Sequence, residues 1–194
     1  MGLENRVYSI LVVSAAETLN TALYELLPES FYNPIRIVPS ISSAKRALAE
    51  REFDFIIVNS PLPDDIGTRF AIDACRSKNC VVLILVRAEL HGEIYEKVYR
   101  HGVFTLSKPT SKAMLSTALG WMASARERLR TSEKKNISIE EKMEEIRLVN
   151  RAKWIIINQF KMDEPSAHHY IEKQAMDRCI SKREAAKEII NTYS

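Results

Sequence analysis

The chain has little cysteine and little glycine: three Cys and five Gly in 194 residues. Cys75, Cys80 and Cys179 are odd in number and follow no metal-ligand spacing. That excludes a disulfide framework or a zinc module and points to a reduced, cytoplasmic setting. No glycine-rich loop is present to cradle a phosphate, and no nucleophile stands beside a base, so neither an enzyme nor a cofactor is expected. The longest apolar runs, such as Val81 to Val86, are far too short to span a bilayer. The N-terminus lacks the charged-then-apolar pattern of a secretory signal. His91, His101, His168 and His169 are scattered or adjacent, and the last two are expected on a solvated helix face.

What is present is an ordinary globular composition, 46% hydrophobic and 27% charged, with room for one or two domains. Charge is uneven. Residues 1–110 hold 12 Lys+Arg against 13 Asp+Glu, and residues 111–194 hold 16 against 12. A modest basic excess in the C-terminal part is compatible with nucleic acid.

Short apolar runs at Tyr8–Val13, Ile35–Val38, Phe53–Val58, Val81–Val86 and Val103–Leu106 alternate with helical spacings. These predict a doubly wound, flavodoxin-like domain with a five-stranded parallel sheet, whose site lies at the carboxyl ends of the strands. The helices are expected at Glu17–Leu27, from Ser42-Ser43 to Glu50, around Phe70–Arg76 and over His91–His101. Asp64 and Asp65, in the loop after the third run, are read as solvated charges.

From Ser111 the pattern is helical until Pro165. Leu115, Ala118, Met122, Ala125, Leu129, Ser132, Asn136, Ile139, Met143, Ile146, Asn150 and Lys153 alternate by three and four. That is a heptad seam, and it predicts a parallel coiled-coil homodimer. The alternative for part of its start, Leu115 to Met122, is packing on the sheet as a last helix, and its weak middle, Thr131 to Ser138, is the expected kink or hinge. Three short helical patterns then follow: Arg147 to Phe160, one capped by Asp163 with Pro165 in its first turn, and one opened by the Ser181/Glu184 capping box. Small residues Ala167, Ala175 and Ala186 permit close approach. Tyr170 and Trp154 are either base-stacking rings or part of this small core, and the core is the expectation.

The first part resembles a response-regulator receiver. The resemblance rests on Asn59, Leu62, Pro63 and Gly67 in the phosphoacceptor loop, and on Lys108-Pro109 with its commonly cis proline. It implies a pocket made by Ser14, Ala15, Asn59, Val86 (or Arg87) and Lys108. Phosphoryl transfer there needs an Asp nucleophile and acidic Mg²⁺ ligands, and this sequence offers an amide at Asn59 and Ser14-Ala15-Ala16 at the acidic cluster. The expected domain is therefore a pseudo-receiver that is not phosphorylated.

The last quarter resembles an ANTAR domain, the RNA-binding module of bacterial transcription antiterminators. The similar positions are Ala152-Lys153, Asp163-Glu164, Ala167, Ala175-Met176-Asp177, Ser181 to Ala186 and Ile189-Ile190. Lys161 stands where many members have a turn glycine. The resemblance implies binding to paired hairpin loops of nascent mRNA, which prevents a terminator from forming. Lys153, Lys173, Arg178, Lys182 and Arg183 are the expected RNA contacts, with no metal. The expected layout is α/β followed by all-α: pseudo-receiver 1–120, coiled-coil linker helix 121–149, three-helix ANTAR domain 150–194. The competing readings are C-terminal helices that bind a protein partner, and a receiver that is phosphorylated or is regulated by a regulatory protein or small ligand.

Overall fold

A computed structural model describes residues 6–77 and 80–193. The chain forms two compact units, Met1–Arg130 and Thr131–Ser194.

The first unit is a five-stranded parallel sheet in the order β2-β1-β3-β4-β5. Its strands are β1 (Tyr8–Val13), β2 (Tyr32–Val38), β3 (Phe55–Asn59), β4 (Val81–Arg87) and β5 (Phe104–Lys108). Between them lie α1 (Glu17–Leu26), α2 (Ile41–Glu50), α3 (Thr68–Ser77) and α4 (Ala88–Val98). The central strands are apolar on both sides because both faces are covered. On one face Leu11, Ile56, Val58, Val82, Ile84 and Val86 pack against α2, α3 and α4. On the other, Ile10, Val12, Phe55, Ile57, Leu83 and Leu85 meet Leu23 of α1 and the start of a long helix, α5 (Lys112–Phe160). Leu115, Ala118, Leu119 and Met122 of α5 are buried there, so the first turns of the seam belong to the sheet.

Two boundaries differ from the sequence reading. Strand β2 starts at Tyr32, three residues early, and runs through Pro34; it is an edge strand, where a missing N–H is tolerated. Helix α4 starts at Ala88 directly after β4, with no side-chain cap to announce it. Helix α5 runs from Lys112 to Phe160, so 131–138 is helical, and the division between the two units falls at the start of that stretch.

Asp64 is not simply a solvated charge. Its carboxylate accepts hydrogen bonds from the Ile41 and Ser42 amides at 3.0 Å and from the Ser42 hydroxyl, so it caps α2 from another loop. Those amides hold its carboxyl below the ordinary range. Asp65 accepts from the Gly67 amide at 2.6 Å. Gly67 has φ +86°, and a Cβ there would sit 2.8 Å from Val58 Cγ1. Gly67→Ala therefore combines left-handed strain with overpacking and is expected to cost about 2–3 kcal/mol, read as a lower denaturation midpoint of the first unit.

In the second unit, the end of α5 packs with α6 (Glu164–Asp177) and α7 (Lys182–Tyr193). Val149, Ala152 and Ile156 of α5 meet Ala167, Ile171 and Ala175 of α6 and Ala185, Ala186, Ile189 and Ile190 of α7. The alanines are fully or almost fully buried, as close helix packing requires. The Asp163 carboxylate accepts from the Ser166 amide at 2.9 Å, with Pro165 in the first turn. Ser181 and Glu184 cap each other reciprocally at 2.9 and 3.2 Å.

Candidate functional site

Two places at strand and helix ends bear on function. The first is the carboxyl end of the sheet. Asn59 is buried, and its Nδ2 donates to Ser14 Oγ at 3.1 Å. Its Oδ1 accepts from Lys108 Nζ at 2.7 Å, and the same ammonium donates to the Ser60 carbonyl at 2.5 Å. Ser14 Oγ also accepts from the Ala16 amide. The side chains thus satisfy one another in a closed chain of neutral partners around one cation. Burial lowers the Lys108 pKa, and the nearby Arg87 charge adds to this. An ammonium flanked by an arginine and no carboxylate is the reverse of a divalent-cation site. Ser14, Ala15 and Asn59 supply no charged oxygen, so these residues do not fit Mg²⁺.

One residue of the expected pocket lies elsewhere. Val86 is buried on the opposite face of the sheet, with Val82 and Ile84, and cannot line the pocket. Arg87 is the residue in register with Lys108, so a second cation stands beside the ammonium. The Lys108-Pro109 bond is cis, as the resemblance implied.

The second place is the surface of the three-helix unit. From Ile146 to Met162 the sequence contains no acidic residue but carries Arg147, Arg151, Lys153 and Lys161. Val149, Ala152 and Ile156 turn one face of α5 inward, and Arg147, Arg151, Trp154 and Asn158 share the opposite, exposed face. Toward the middle of α5, Ile139, Met143 and Ile146 are each more than half exposed.

The ANTAR domain family matches residues 137–190. The chain carries an ANTAR domain behind a receiver-like domain. Over 187 residues it is 25% identical to the transcriptional regulatory protein PdtaR of Mycobacterium tuberculosis, covering 94% of this chain and 89% of that protein. The fold of the first unit recurs in two solved structures. One is the signal receiver domain of an HD domain-containing protein from Pseudomonas fluorescens Pf-5, with TM-score 0.57, 23% identity, and 69% of this chain and 96% of that one covered. The other is described as adenylate cyclase from Rhodopirellula baltica, with TM-score 0.60, 22% identity, and 68% and 98% covered.

Within the ANTAR domain the five basic residues expected at RNA do not form one patch. Lys153 is largely buried and bonded to Glu164 at 2.8 Å across the α5–α6 turn. Lys182 pairs with Glu172 at 2.6 Å, and Arg178 forms a two-pronged pair with Glu188. Arg183 is half-buried, and its Nε has no hydrogen-bond partner among the described residues. Lys173 alone of the five is exposed and makes no ion pair with a described residue; it lies beside His169, Tyr170 and Met162 along a shallow hollow. The expectation for Tyr170 holds, since it is half-buried near Phe160. Trp154 is the opposite: it is 66% exposed, because its helix phase faces away from Ala152 and Ile156. Arg147 and Arg151 were missed by sequence reasoning, and the acid-free run around them was the signal.

The turn between α5 and α6 places a side chain in a conformation that favours glycine. Lys161 has φ +53°, in the left-handed region. Lys161→Gly is expected to stabilise the ANTAR unit by about 1 kcal/mol, measured by thermal denaturation of the full chain.

Proposed function

We propose that the chain is a cytoplasmic RNA-binding antiterminator that acts as a homodimer and holds paired hairpin loops of nascent mRNA, so that the terminator stem cannot form. The ANTAR match over a well-formed three-helix unit carries this reading. The uncovered seam supports the dimer. Ile139, Met143 and Ile146 recur at heptad spacing and are each more than half exposed among the described residues. In that register Lys135 and Glu140 occupy g and e positions, where two parallel copies attract. Two linked tips make the second loop an intramolecular ligand, and unstacked loop bases can be read by side chains.

The first unit is proposed to hold or restrain the tips without phosphorylation. Incubation with acetyl phosphate and Mg²⁺ is expected to leave no acyl phosphate on the chain by mass spectrometry. Asn59→Asp alone is expected to change nothing, because Ser14 and Ala15 still offer Mg²⁺ no carboxylate. A stable acyl phosphate on Asp64 or Asp65 would overturn this part. The closed Ser14–Asn59–Lys108 chain also favours a regulatory protein over a small ligand at this unit. The exposed rings of Tyr95 and Tyr99, stacked in line with the half-buried His91 on and after α4, offer such a protein a surface.

The function itself is tested by transcription in vitro through a terminator preceded by two stem-loops. Added protein should raise read-through, and deletion of either loop should abolish the rise. Equal read-through without the loops would refute the reading.

A further inference from the structure

We infer that Trp154 is a base-stacking platform, with Arg147 and Arg151 preceding it on the same helix stripe, on which an unpaired base of an RNA loop lies. The inference rests on the RNA reading above and places the RNA on a helix face outside the five residues the sequence favoured. Arg147, Arg151, Trp154 and Asn158 are spaced four, three and four apart and form one exposed stripe. An indole two-thirds exposed on a helix whose other face is fully buried leaves a large apolar surface in water. Neither arginine makes an ion pair with a described residue, whereas Lys153, Arg178 and Lys182 are each engaged with a glutamate. These two guanidinium groups are therefore ready for phosphate without breaking a pair. An aromatic face beside two such cations, on a segment without acids, is the chemistry of single-stranded nucleic acid recognition.

The competing occupant is a second copy of the chain, since Trp154 takes an e position if the heptads continue. The charges argue against it. Lys142 at g would meet Arg147 at e of the second copy, a like-charge meeting one heptad beyond the attractive Lys135–Glu140 pair. Asn150 and Lys153 then occupy the next seam positions. Two parallel helices part where their flanks repel and their seam turns polar, which leaves Trp154 open.

The test uses the full chain and a pool of RNAs bearing two short stem-loops with randomised loops, enriched on the wild-type protein. Trp154→Ala is expected to weaken binding roughly 10- to 100-fold, the range of one base–aromatic stack. Trp154→Phe should recover most of it. Arg147→Gln with Arg151→Gln should reduce the slope of log affinity against log salt by about 0.7 for each phosphate that is no longer neutralised. In a Trp121→Phe background, the remaining indole fluorescence should be quenched by RNA. Circular dichroism and particle mass of every variant should match the wild type. Wild-type enrichment with undiminished binding by Trp154→Ala would overturn the inference and leave the RNA reading standing. A change in particle mass on Trp154→Ala would assign the indole to the second copy instead and overturn it as well. Failure of the wild type to enrich any RNA would remove both.

Discussion

Met143→Asp is expected to turn the proposed dimer into monomers and to weaken binding of a two-hairpin RNA by about 100-fold or more, within the range by which linkage raises avidity. Binding of a single hairpin should be unchanged. Met143 is 51% exposed in the single chain and lies outside its hydrophobic cores, so an aspartate there leaves each ANTAR unit folded. The intrinsic cost of aspartate in a helix is under about 1 kcal/mol. In a parallel pair the two carboxylates would face each other across the seam, where burial of unpaired charge is prohibitive. Loss of the pair leaves each tip to find its own loop. Sedimentation of the variant, with affinities for one- and two-hairpin RNA, measures both effects. A dimeric Met143→Asp would place the self-association elsewhere.

Asp54→Ala is expected to destabilise the first unit by about 2 kcal/mol, the cost of taking a shared acceptor from four partly buried donors. Asp54 follows Phe53 just before β3, and both carboxylate oxygens are used. One accepts from the Ser9 amide at 3.0 Å and the Ser9 hydroxyl at 3.1 Å. The other accepts from Arg126 Nε at 3.0 Å and Arg130 Nη2 at 2.7 Å, which ties α5 to the edge of the sheet core. Burial by itself would raise the carboxyl's pKa. The Ser9 amide and the two guanidinium groups outweigh it and hold the pKa below the ordinary value. A depressed carboxylate contributes stability that is complete above its unfolded pKa, near 3.9, and is lost as pH falls through the lower folded value. Wild type should therefore lose this contribution below about pH 4, whereas Asp54→Ala should lack it at neutral pH and show a flatter acid limb. Denaturant titrations at pH 7 and pH 3 read the difference.

The parallel sheet was legible because its buried strands are continuous apolar runs, and the caps at Asp163 and Ser181 were legible because capping is local. What escaped was non-local or a matter of phase. Asp64 caps a helix more than twenty residues away in sequence, and no spacing signals that. Lys153 matches the ANTAR pattern, yet its ammonium is held by Glu164 across a turn. Trp154 looks like core by residue type, but Ala152 and Ile156 fix the helix phase and turn it outward. Val86 is one residue from the pocket, and in a strand one residue means the other face. The acid-free segment from Ile146 to Met162 is readable throughout and points to Arg147 and Arg151.

The most direct test of the account is the mass of the full chain in solution, alone and with RNA bearing one or two stem-loops, by light scattering or sedimentation. The account predicts a dimer that takes up one two-hairpin RNA per pair of chains and holds it far more tightly than the one-hairpin RNA. A monomer that binds both RNAs equally, or a dimer that binds neither, would contradict it.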